Sequence, residues 1–177
     1  MSNMDNDKFK KALLEYKNYP LIASVRKKGL IAYIINLAAI VRKRKPWSHT
    51  FYIYIRNSEV YYYEITMLEG VQCGFLEQKY LKDKYKGNLE VHVIPYPKKY
   101  LETFSLHKKY SVKMALLSWL GNRRVEDSNT IGYCSDESTD VSESTIDEQI
   151  VQDNFRYTPS SLNELFTLRK YTCIYYR

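Results

Sequence analysis

Three residues far apart in this chain have the types that thiol chemistry requires: His49 in Trp47-Ser48-His49, Glu64 on the next aromatic stretch, and Cys134 in Ile131-Gly132-Tyr133-Cys134-Ser135. An imidazole takes a proton from a thiol when a partner fixes its other ring nitrogen, and a carboxylate is such a partner. A cysteine at a helix start meets unpaired N–H groups and the positive end of the helix dipole, which lower its pKa and favour the thiolate. The backbone N–H of Cys134 and the side chain of Tyr133 could then stabilise an oxyanion at an attacked carbonyl, with Ser48 lining the same site. The expected catalytic set is Cys134 as nucleophile, His49 as general base and Glu64 as the group that orients it.

For these residues to meet, the strands must carry them to one place. Thr50-Phe51-Tyr52-Ile53-Tyr54-Ile55 and Val60-Tyr61-Tyr62-Tyr63-Glu64-Ile65-Thr66 are aromatic and β-branched runs separated by the polar turn Arg56-Asn57-Ser58-Glu59, which predicts a hairpin. A tight turn centred on Asn57-Ser58 pairs Arg56 with Glu59, and by extension Phe51 with Glu64 and His49 with Thr66. Side chains alternate faces, so His49, Phe51 and Ile53 share a face with Tyr62 and Glu64. His49 and Glu64 become diagonal cross-strand neighbours, roughly 7–8 Å apart at the backbone and within reach of a Glu side chain.

Around the hairpin the expected elements alternate. Residues 1–18 predict a peripheral amphipathic helix, with Phe9, Leu13 and Leu14 at helical spacing, followed by a strand over Leu21 to Val25. The apolar run Gly29 to Val41 lies between Lys27-Lys28 and Arg42-Lys43-Arg44-Lys45. It is about a third too short to cross a bilayer of roughly 30 Å. A buried core helix is the expected reading, and an interfacial helix anchored by the flanking cations is the alternative. Further on come an extended piece over Gly70 to Phe75, a helix over Leu76 to Lys84, a strand over Leu89 to Ile94, and helices over Lys98 to Leu106 and Ser111 to Leu120. Ser135 to Gln152 is acidic and rich in Ser and Thr, a composition compatible with helix or loop. Thr158-Pro159 starts a short helix, with Thr as cap and Pro at the first position, and Tyr171 to Tyr176 ends the chain as a strand.

The 177 residues suit a single α+β domain that can enclose a core without disulfides or a structural metal. Cys73, Cys134 and Cys173 have no close mutual spacing, and His49, His92 and His107 form no ligand step, so no metal or other cofactor is expected. Cys73 and Cys173 read as small buried hydrophobes. These features fit a cytoplasmic or otherwise reducing compartment; no amino-terminal secretion signal is recognisable. The net charge of +7 is uneven, because residues 126–153 hold nine acids and no Lys or Arg, leaving 27 basic against 11 acidic residues elsewhere. That balance suits a solvated basic face, or contact with an anionic polymer or a membrane surface. Abundant Lys, Tyr, Asn and Ile with six glycines points to an AT-rich genome, such as that of a virus or phage.

Read in order, Ser48-His49 opening a strand, Glu64 on the next strand, Gly70-Val71 and a late Tyr133-Cys134-Ser135 resemble the permuted papain-like amidases of the YiiX type, relatives of the NlpC-type cell-wall peptidases. Lys109-Tyr110-Ser111 is similar to that family's Lys-Tyr-Asp step, and Thr158-Pro159-Ser160-Ser161-Leu162 to its Thr-Pro-x-x-Leu element. The resemblance implies a papain-like, circularly permuted fold in which an antiparallel sheet or small barrel packs against helices. It also implies a cysteine-dependent amidase, peptidase or ester hydrolase that needs no metal and acts on peptide, peptidoglycan-peptide or lipid acyl bonds. The chain departs from the pattern after the cysteine, where Asp136 and Glu137 stand within a turn of Cys134 and oppose thiolate formation by like charge. The alternative expectation is therefore an inactive structural or binding protein of the same fold, such as a virion-associated one, using a basic, tyrosine-rich surface.

Overall fold

A computed structural model describes residues 2–66, 69–95, 109–110, 131–132 and 158–177. In chain order the elements are α1 (Ser2–Leu14), β1 (Leu21–Val25), α2 (Leu30–Val41), β2 (His49–Arg56), β3 (Glu59–Thr66), β4 (Gly70–Phe75) and the single turn α3 (Leu76–Lys79). A 3-10 turn at Asp83–Tyr85 leads to β5 (Leu89–Val93), β6 (Lys109–Tyr110), β7 (Ile131–Gly132), α4 (Pro159–Leu168) and β8 (Cys173–Tyr175). Six strands form an open antiparallel sheet in the order β4-β3-β2-β1-β5-β8, so the fold is α+β and this sheet is not closed into a barrel. The helices expected over 98–106 and 111–120, and the acidic segment 135–152, lie outside the described residues.

The hairpin follows from its turn. Asn57 and Ser58 both have positive φ, 51° and 61°, the two-residue geometry whose twist matches that of the flanking strands. The observed pairs run from Arg56↔Glu59 through Ile55↔Val60 to Tyr52↔Tyr63, the register the sequence predicts. β1 lies on the other side of β2, pairing Val25 with His49, and β4 pairs Gln72 with Glu64.

The alternation of side chains gives the sheet two buried faces. Phe51, Ile53 and Tyr62 of the hairpin join Ala23, Val91 and Val93 on one face, covered by Phe9 and Leu13 of α1 and by Leu76, Tyr80 and Leu81. On the other face Ile22, Tyr52 and Tyr63 pack against Leu162 and Phe166 of α4. α1 is thus not peripheral: Tyr176 donates its hydroxyl to Asn6 Oδ1 at 2.6 Å, and Asn6 Nδ2 donates to the Leu81 carbonyl at 3.2 Å. A capping box starts α4, with Thr158 Oγ1 accepting from the Ser161 N–H at 3.2 Å and Ser161 Oγ from the Thr158 N–H at 2.8 Å.

Three further expectations are corrected. The helix over Leu76 to Lys84 stops after one turn, because the backbone leaves it at Tyr80 to bury both Tyr80 and Leu81. Cys73 is exposed rather than buried, since it lies on edge strand β4. α2 is not a core helix: only Ala32 and Ala39 are buried, while Leu30, Tyr33, Ile34, Leu37, Ile40 and Val41 are exposed. A helix apolar on all sides reads as buried, but here the small side chains face the protein and the large ones face outward.

The strained turn gives a first prediction. In Ser58→Gly, relief of left-handed crowding (~1–2 kcal/mol) outweighs the extra chain entropy of glycine (~0.5–1 kcal/mol), so stability rises by about 0.5 kcal/mol. Urea unfolding checks this as a higher midpoint at unchanged slope.

Candidate active site

The approach to His49 is pinned from two sides. Ser160, in the first turn of α4, accepts from the Trp47 N–H at 3.2 Å and donates its hydroxyl to the Trp47 carbonyl at 2.9 Å. Ser48 Oγ accepts from the Lys27 N–H at 2.8 Å and lies 3.4 Å from the Val25 carbonyl, while the Ser48 N–H also bonds Val25 O. Ser48 therefore ties the end of β1 to the start of β2 and delivers His49 in phase with Phe51.

His49 Nε2 meets Glu64 Oε2 as the register requires. The same oxygen accepts from Tyr80 Oη at 2.5 Å and from Lys27 Nζ at 3.2 Å. Lys79 Nζ stands 2.5 Å from Glu64 Oε1, an ion pair rather than an aligned hydrogen bond. The Glu64 side chain has no exposed surface. Neighbouring groups hold this arrangement: Phe51 stacks on Tyr80 with centroids 4.1 Å apart, and Gln72, the strand partner of Glu64, accepts from Lys79.

The charges decide the proton positions. Burial opposes ionisation of Glu64, but His49, Lys27 and Lys79 outweigh it and hold the carboxyl well below its usual range. Burial pushes the His49 pKa down from 6.5 to about 4, with Lys27 adding to the effect and Glu64 opposing it. Two ammonium groups already over-neutralise the single carboxylate, so a further cation on His49 is disfavoured and the ring is neutral at pH 7. An ionised carboxylate can only accept, so His49 carries its proton on Nε2. Nδ1 is then the basic nitrogen, with no hydrogen-bond partner among the described residues.

His49 borders a cleft of about 590 Å³, along with Lys27, Ser48, Thr66, Lys79 and, from α2, Leu30, Ile31 and Ile35. Cys134 and Tyr133 lie outside the described residues. The nearest described position is Gly132 on β7, which pairs in parallel with Tyr110 of β6, and β6 approaches β3 and β4.

Sequence reasoning missed Lys27, Lys79 and Tyr80. Lys27 arrives only because β1 pairs with β2, and no local signal encodes that pairing. Tyr80 falls within the helix expected over Leu76 to Lys84, and a tyrosine two positions before a lysine carries no mark of a buried hydroxyl. Among the described residues, the group that could hold a metal ion is Glu90, His92 and Cys173, with donor atoms within 4.8 Å of one another. It lies on the opposite face of the sheet from His49, beside Phe166 and Asn163. Cys173 is half-buried rather than a plain hydrophobe: burial pushes its pKa up to about 11, so it is a protonated thiol at neutral pH.

The fold is thus an α+β domain built on an open six-stranded antiparallel sheet, and the site is a buried, neutral histidine held by an ionised glutamate beside a cleft. Comparison with family models, with curated proteins and with solved structures gives no match.

Two outcomes follow from the buried charges. Tyr80→Phe removes one donor from an ionised buried carboxylate and lowers stability by about 1.5–3 kcal/mol in denaturant unfolding. His49 and His92 both have native pKa values of about 4, against 6.5 ordinarily. The unfolded chain therefore binds protons first as pH falls below 6.5. Stability is full at pH 7 and falls toward pH 4, by up to ~1.4 kcal/mol per pH unit for each histidine. Unfolding midpoints measured between pH 7.5 and about 4.5 check this slope, and in His92→Gln it is reduced by about half.

Proposed function

We propose that this protein is a cysteine-dependent hydrolase of permuted papain-like architecture, with Cys134 as nucleophile, His49 as general base and Glu64 as the residue that fixes the base. The observation that carries the reading is the His49 Nε2 contact with Glu64, which leaves Nδ1 as the basic atom of a residue bordering the cleft. The β6–β7 pairing supports it, because Cys134 follows Gly132 by two residues, a chain reach of at most about 7 Å. Lys27 and Lys79 add positive potential, which favours a thiolate and an anionic tetrahedral intermediate.

In this reading the Cys134 thiol gives its proton to His49 Nδ1, and the sulfur bonds to the carbonyl carbon of an amide or ester. Collapse of the tetrahedral intermediate breaks the bond to the amine or alcohol, which leaves with the proton from His49. Water then attacks the thioester, giving a proton back to His49, and the acid departs as the thiol re-forms. No metal or cofactor enters this sequence.

A second reading, a binding protein of the same architecture without turnover, draws on the same electrostatics. An imidazole whose pKa is about 4 is a weak base, and Asp136 and Glu137 oppose the Cys134 thiolate.

Iodoacetamide labelling mapped by mass spectrometry separates the two. The hydrolase reading expects Cys134 to label at least ~10-fold faster than exposed Cys73, with half-buried Cys173 slowest, and expects His49→Ala to remove the advantage. Labelling of Cys134 no faster than Cys73 contradicts it and leaves the binding reading.

A further inference from the structure

We propose that α2 is a docking helix for anionic lipid bilayers, an interaction that does not depend on whether Cys134 is a nucleophile. Among the described residues, seven of the ten exposed large hydrophobic side chains lie on this helix. Leu30 is 77% exposed, Val41 76%, Tyr33 65% and Ile40 57%. At about 100° per residue these positions, with Ile34 and Leu37, fall on one side of the helix, spanning roughly 120°, and Ile31, 49% exposed, widens the exposed apolar arc to about 180°. Ala32 and Ala39 occupy the opposite side, against the protein. Side chains of this size in one contiguous stripe mark an interaction site.

The charge around the stripe indicates which partner fits. Residues 26–58 contain eight basic residues and no Asp or Glu. Lys28 precedes the helix and Lys43 follows it, both exposed. Apolar side chains with cations at both ends match the interface of a bilayer carrying anionic headgroups. A second copy of the chain would bring the same cations face to face. The acidic stretch 126–153 offers carboxylates but mostly Ser, Thr and other polar side chains, a poor cover for Leu, Ile and Val. The twelve residues of α2 rise about 18 Å, well under the roughly 30 Å of a hydrocarbon core, so the helix lies in the interface and does not cross it.

Docking in this orientation has a consequence for the cleft. Leu30, Ile31 and Ile35 of α2 share its lining with His49, so the same helix that enters the interface brings the cleft to the membrane surface.

The test is co-sedimentation of the full chain with phosphatidylcholine vesicles, alone or with about 30% phosphatidylserine, at about 0.1 M salt. The protein is expected to pellet with the anionic vesicles and to bind neutral ones much more weakly. Leu37→Ser and Val41→Ser are each expected to weaken binding by ~10-fold, and Lys28→Glu with Lys43→Glu to remove the preference for phosphatidylserine. Leu168→Ser, at a residue 74% exposed on α4, is expected to change nothing. All five positions are exposed, so circular dichroism should report folded protein throughout. Absence of vesicle binding by the folded wild-type chain overturns the proposal, as does equal weakening by Leu168→Ser. A dimer seen by light scattering that Leu37→Ser dissolves, without vesicle binding, assigns the helix to self-association instead.

Discussion

The buried carboxylate of Glu64 is the constraint on which the rest of this structure depends. An isolated carboxylate in a protein interior costs several kcal/mol, and the cost is offset only when donors arrive with good geometry. Here three donors converge on Oε2, from His49 at the start of β2, Lys27 just past β1 and Tyr80 beyond α3, while the ammonium of Lys79 at the end of α3 forms an ion pair with Oε1. A one-residue slip of β3 would carry Glu64 to the face occupied by Tyr52, Tyr63, Leu162 and Phe166, where this set of donors is absent. Satisfying one side chain therefore fixes the register of β3, the length of α3 and the junction between β1 and β2.

The same interaction sets the chemistry available to His49. A glutamate alone would raise the basicity of a neighbouring imidazole, but burial and two lysines reverse that outcome. The ring is kept neutral with a fixed tautomer, the state a base must hold before it accepts a proton. The lysines make the environment more favourable to anions than to a second cation, which suits a thiolate better than an imidazolium. In the proposed hydrolase, nucleophile and base would thus be pulled in opposite directions by one set of charges.

Much of the hairpin was legible in the sequence because its information is local. Asn57-Ser58 fixes the turn, the turn fixes the register, and alternation then places His49 and Glu64 on one face. Thr158-Pro159 marked the start of α4 equally well, since capping chemistry acts within one turn. Lys27 and Tyr80 were not legible, because their roles depend on pairings and burial set by distant segments. α2 was misread for another reason: its apolar composition fits a buried helix, and only the placement of Ala32 and Ala39 against the protein shows that its large side chains face outward. The cluster of Glu90, His92 and Cys173 was invisible because it joins β5 to β8 across some eighty residues.

Glu64 holds His49 neutral, with its proton on Nε2 and its lone pair on Nδ1. Nitrogen-15 NMR of the imidazole, followed through pH, measures this directly. The expected spectrum is that of an Nε2–H tautomer at pH 7 that becomes protonated only near pH 4. In Glu64→Gln the tautomer preference should weaken. An imidazolium at pH 7, or a ring carrying its proton on Nδ1, would contradict this assignment.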